Sequence, residues 1–182
     1  TVPSAKSKQA GIGDSWLWTA LDARNKVIIS FRVGLRTQDD AFRFMYDLSE
    51  RVTNRPQITT DGLGSYFEAV RAAFEDETDY AQLIKVFRSD RPDHARYSPG
   101  VCIGCEHKTL LGFPDPSLIS TSRVERLNLS YRTGIKRFAR LTNAHSKKIE
   151  NHKHAVAIFV FAIYFIIVLI ASGAFFWIDS LR

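Results

Sequence analysis

Apolar and polar positions change period several times along the chain, and each change predicts an element. Trp16 to Leu21 is a short apolar run, Asp22-Ala23-Arg24-Asn25-Lys26 is polar, and Val27 to Val33 is a second run rich in β-branched and aromatic residues. Two such runs around a polar turn predict a β-hairpin, with Asp22 at the turn because its side chain caps backbone N–H groups. Thr37-Gln38-Asp39-Asp40 reads as a helix cap, and Ala41, Phe44, Met45, Leu48 and Val52 then recur at helical spacing. Pro56 precedes a strand-like run, Gln57 to Thr60, that ends on Asp61-Gly62. Ser65 and Glu68 match a capping box, and Phe67, Val70, Ala73 and Phe74 supply the buried stripe of a second helix. Glu75 to Asp79 reads as a loop and Ala81 to Phe87 as another strand, whereas Ser89 to Ser120, with four prolines, shows no clear period and is expected to be a long connection. From Arg123 a helical period returns, with Val124, Leu127, Tyr131, Ile135 and Phe138 on one face. Residues 1–13 lack periodicity and read as a flexible lead-in.

Charge changes the picture of that last helix. The chain has 182 residues and a net charge of +6, yet residues 120–154 alone hold nine Lys/Arg against Glu125 and Glu150. A concentrated basic block suits a polyanion, either nucleic acid or an anionic membrane surface. On the helix, Glu125, Asn128, Arg132, Lys136 and Arg140 fall at i, i+3, i+7, i+11 and i+15, so an acid heads a basic ridge. Asp61, delivered to the carboxyl end of its strand, stands where open α/β sheets place their chemistry. The two acids are read as parts of one metal site for phosphoryl transfer on DNA, with the ridge holding the phosphate backbone.

Cys102 and Cys105 are the two cysteines. Cys-Ile-Gly-Cys is half a zinc knuckle, and His94 and His107 do not complete a recognised spacing, so a metal role is not assigned. Two close cysteines make no disulfide framework, which points to a reducing, cytoplasmic setting.

Several stretches together resemble the DDE transposases of bacterial insertion sequences, specifically the insertion-sequence-one type. They are Gly13 to Asp22, Gln57 to Gly62, Arg96-Tyr97-Ser98-Pro99, Ser120 to Leu129, Arg140 to Ala144 and Lys147 to His152. The resemblance implies an α/β, ribonuclease-H-like catalytic core over residues 14–154, with Asp61 and Glu125 as the second and third catalytic, metal-binding acids. It also implies Mg²⁺ or Mn²⁺ as cofactor, insertion-sequence ends as the DNA partner, DNA contacts from Arg126, Asn128, Arg132, Lys136 and Arg140, and homo-oligomer formation. In such enzymes two cations drive in-line attack on a phosphodiester, and hard cations want carboxylate ligands. The family's first strand, which bears the first acid, has no counterpart in this chain, and Asp22 matches the family's turn position rather than that acid. The expectation is therefore a truncated and inactive copy.

Residues 155–178 are 24 consecutive uncharged positions, above the ~20 that span a bilayer. Trp177 stands near one end and Lys147, Lys148 and Lys153 precede the other. The rival reading is a tail-anchored membrane protein, held in the bacterial inner membrane, whose basic segment meets anionic lipid.

Overall fold

The computed structural model describes residues 15–75, 77–87, 102–138, 144 and 148–171. Among the described residues the protein is mixed α/β, with two small sheets and an apolar helix as the last element. Its elements run β1 (Trp16–Leu21), β2 (Ile28–Gly34), α1 (Gln38–Arg51), β3 (Gln57–Thr60), α2 (Ser65–Phe74), β4 (Asp79–Phe87), β5 (Cys102–Leu111), α3 (Ser122–Gly134) and α4 (Ile149–Ala171). They divide into two compact units: residues 36–123 form one, and those up to Leu35 together with those from Val124 onward form the other.

In the unit spanning residues 36–123, β3 pairs parallel with β4, and β5 adds antiparallel to the far side of β4. A parallel pair needs a crossover, and α2 supplies it. Thr37 caps α1, its hydroxyl accepting from the Asp40 amide at 3.2 Å. Ala41, Phe44, Met45 and Leu48 of α1 are buried, as are Ala69, Val70 and Phe74 of α2, against which α1 packs. The capping box expected at Ser65 does not form. Gly64 is the N-cap of α2 and offers no side-chain bond, while the Ser65 hydroxyl is buried without a partner.

The long connection was expected to lack regular structure, and β5 is the correction. All but its last two residues are exposed, so neither face needed an apolar series and no alternation was written into the sequence. Residues 88–101, including His94 and the Arg96-Tyr97-Ser98-Pro99 stretch, lie outside the described residues.

One carboxylate fastens the amino-terminal end of β4. Asp79 Oδ1 accepts from the Phe113 amide at 2.9 Å and from Arg55 Nη2 at 3.0 Å, tying the approach to β3 and the exit from β5 to one point. Gly112 beside it has φ of +62°, and a Cβ there would collide with that carboxylate. Gln57 adds a second tie: its amide donates to the Asp115 carbonyl at 3.0 Å and accepts from the Asp115 amide at 2.8 Å.

The other unit is a hairpin with helices packed on it. β1 and β2 pair antiparallel with a bulge between Ala20 and Leu21. Ile28, Val33, Tyr131, Ile135, Val156 and Val160 form its buried core, contributed by β2, by α3 with the residue that follows it, and by α4. Gly134 lets α4 come close, since a Cβ at that position would strike the Phe159 ring.

The Arg55 hydrogen bond and the Phe113 amide hold the Asp79 carboxyl below the usual carboxylate range. A depressed folded value means that the stabilisation is present above the unfolded pKa, about 3.9, and is lost as pH falls through the lower folded value. Asp79→Asn is therefore expected to be less stable than wild type at neutral pH, with the gap closing below about pH 4. Urea unfolding at several pH values between neutrality and pH 3 measures it.

Candidate functional site

Asp61 follows the last residue of β3, the strand whose carboxyl end faces the start of α2. Its Oδ1 accepts from the Leu63 amide at 3.2 Å, an Asx-type turn, and the residue is exposed. Beneath it lies a buried polar chain that sequence reasoning missed. Gln82 donates one amide hydrogen to the Tyr80 hydroxyl at 3.0 Å and the other to the Leu63 carbonyl at 3.4 Å. Tyr80 and Thr60 hydroxyls sit 2.8 Å apart, and the Thr60 hydroxyl donates to the Asp61 carbonyl at 2.9 Å. Each hydroxyl has one proton, so the order is fixed: Gln82 to Tyr80, Tyr80 to Thr60, Thr60 to Asp61. A chain aligned in one sense reinforces itself and leaves no donor idle. It grips the 61–63 turn at both carbonyls and so fixes where the Asp61 carboxylate stands.

Two phenols feel that carboxylate. Burial, and then the negative charge of Asp61, push the Tyr66 hydroxyl well above the ordinary tyrosine range. Tyr80 is raised as well, by burial first and also by Asp61, against the lowering effect of its bonds with Thr60 and Gln82. Both therefore stay protonated near neutrality. The available signal for this network was the polar pair Tyr80 and Gln82, one residue apart in a run otherwise apolar from Ala81 to Ile84; period alone does not say that they meet Thr60.

Glu125 lies in the first turn of α3, exposed, and belongs to the other compact unit. Acidic residues in a first turn are favoured by the helix dipole, which accounts for its place without any ligand. Beyond it Arg126 and Arg132 are exposed and Asn128 half-buried on the helix. The predicted ridge is shorter than its spacing suggested. α3 ends at Gly134, Lys136 stands in a separate 3₁₀ turn (Lys136–Phe138), and Arg140 lies outside the described residues.

Asp22 has a structural task. Its Oδ1 accepts from the Arg24 and Asn25 amides at 2.8 and 3.2 Å, and its Oδ2 from Asn25 Nδ2 at 2.6 Å. Desolvation is the largest single influence and works against it, but these bonds together hold its pKa below the ordinary value. Cys102 and Cys105 are exposed on β5 and are not joined in a disulfide. Among the described residues no three His, Cys, Asp or Glu side chains gather as a ready metal cage. An open groove lined by Ser49, Val52, Asn54, Ala73, Phe74 and Glu77 lies at the carboxyl ends of α1 and α2, away from Asp61.

Comparison with known protein families, with curated proteins and with solved structures finds no match.

Tyr80→Phe and Gln82→Leu each leave buried partners unsatisfied and are expected to cost about 1–3 kcal/mol. Because they break one chain, the double variant should cost less than the sum, with a coupling of about 0.5–3 kcal/mol in urea unfolding. Additive losses would show that the two side chains act independently.

Proposed function

We propose that the chain is a catalytic region of a DDE-type DNA transposase, a ribonuclease-H-like enzyme that cuts and joins phosphodiesters. The observation that carries the reading is the setting of Asp61: an exposed carboxylate at the carboxyl end of the first strand of a β3-α2-β4 parallel unit, its turn pinned from below by the Gln82-Tyr80-Thr60 chain. Glu125 supports it, as an exposed acid leading a helix whose exposed side chains continue with Arg126 and Arg132. An antiparallel hairpin, a helix, then a parallel pair joined by a helix follows the element order of such a core after its first strand.

The donor set fits hard divalent cations. Leu63 takes one lone pair of Asp61 Oδ1, which leaves carboxylate oxygens for Mg²⁺ or Mn²⁺. A cation held there would polarise the phosphoryl oxygen and favour ionisation of the attacking hydroxyl. The protein's own part is to hold Asp61 still and to bind the DNA backbone through Arg126, Asn128, Arg132 and Lys136. Asp22 is assigned no part in this chemistry, because three hydrogen bonds commit its carboxylate to the hairpin turn.

Cleavage and joining of labelled insertion-sequence ends, with Mg²⁺ or Mn²⁺, tests the chemistry. Activity should need the metal and an added strand bearing the family's first acid, and should then fall to background in Asp61→Asn and in Glu125→Gln, while Asp22→Asn keeps it; activity indifferent to both acids would sink the proposal. DNA binding tests the ridge separately. Arg126→Ala and Arg132→Ala should each lower the slope of log K against log salt by about 1. Unchanged slopes would remove α3 from the DNA interface.

A further inference from the structure

Helix α4 carries two apolar faces, and the hairpin unit covers one of them. Val156 and Val160 are buried with Ile28, Val33, Tyr131 and Ile135, while Phe159, Ile163 and Tyr164 pack partly against the same core. The Tyr164 hydroxyl donates to the Ile28 carbonyl. On the opposite side Ile158, Phe161, Phe165 and Val168 are 69%, 71%, 56% and 60% exposed. Steps of three, four and three keep these four on one line down the helix. Scattered exposed apolar residues are ordinary, but a continuous strip about three turns long marks a surface that something covers.

The flanks of the strip say what covers it. A helix seam with a second copy leaves polar residues along its margins, where they meet water. Here the neighbouring exposed positions are Ala157, Ala162 and Ile166, and no charged residue occurs anywhere in 155–178. A face apolar across its whole width suits hydrocarbon. At the amino-terminal end of α4 the exposed side chains turn basic, with Lys148, Lys153 and His154 against a single acid, Glu150, which pairs with Lys153 at 3.2 Å. Arg137 joins them, donating to the Asn151 carbonyl at 2.7 Å. Cations at the polar end of an apolar strip match the phosphates of anionic lipid.

The packed face decides how the helix enters. By length and composition Ile149–Leu169 could cross a bilayer. Crossing would carry the attached hairpin, a two-stranded sheet among the described residues, into a medium where open sheet edges cannot be satisfied. We propose that α4 inserts sideways into the surface of an anionic bilayer through Ile158, Phe161, Phe165 and Val168, and lies in its plane with the hairpin still packed on its other face. This proposal does not rest on the DNA chemistry above, and it places the lipid contact on Lys148 and Lys153 rather than on the α3 cations.

Flotation of the full chain with vesicles of phosphatidylglycerol and phosphatidylcholine tests it. Wild type should float with the vesicles, more strongly as phosphatidylglycerol rises, and should be released by alkaline carbonate. Phe161→Asp with Phe165→Asp should lower the bound fraction about tenfold or more, while the circular dichroism melt stays unchanged, because neither ring belongs to the core. Phe161→Leu with Phe165→Leu should retain binding. Equal flotation of wild type and the Asp variant would overturn the proposal. So would resistance to carbonate, which would mean a spanning helix, and so would a wild-type dimer that ignores vesicles and dissociates in the Asp variant, which would mean that a second copy covers the strip.

Discussion

The parallel pairing of β3 with β4 is the constraint on which the candidate site depends. Four residue pairs, from Gln57 opposite Asp79 to Thr60 opposite Gln82, bring β3 to its end beside the middle of a longer, buried strand. That register sets Thr60 beside Tyr80 and Gln82 under the turn. A shift of one residue would send Tyr80 and Gln82 to the other face and leave their polar groups without partners. The site's geometry is thus a consequence of strand pairing, and the same pairing is stabilised at its other end by Asp79, Arg55 and Gln57.

Much of this was legible. The hairpin and both helices of the residue 36–123 unit follow the apolar period because each buries one face in a core; β3 and β4 were legible instead as short runs bounded by turn signals, β4 being buried at four consecutive positions from Tyr80 to Leu83. Asp61 was legible for a related reason: Asp-Gly after a short strand is a turn signal, and a turn at a strand's carboxyl end is where an acid becomes accessible. The elements that escaped carry no such constraint. β5 is exposed on both faces, and the Ser65 capping box failed because the turn after β3 enters α2 through Gly64 instead. The relay beneath Asp61 joins residues about twenty positions apart, a contact that no local window contains.

Helix α4 shows the reverse case, in which composition says too much. Apolarity all round the helix is the usual mark of a membrane span, but it also describes a helix with one face in a protein core and another left exposed. Val156 at 0% exposure and Phe161 at 71% separate those two faces, and no hydropathy average can. The basic block divides in a similar way, since α3 ends at Gly134 and its cations and those around α4 belong to different elements.

The central proposal is that Asp61, held by the pinned turn after β3, is a metal-binding carboxylate. Mn²⁺ binding, followed by water-proton relaxation in wild type, Asp61→Asn and Asp22→Asn, tests it most directly. Asp61→Asn is expected to weaken binding and Asp22→Asn to leave it unchanged. Mn²⁺ binding indifferent to Asp61→Asn would contradict the proposal.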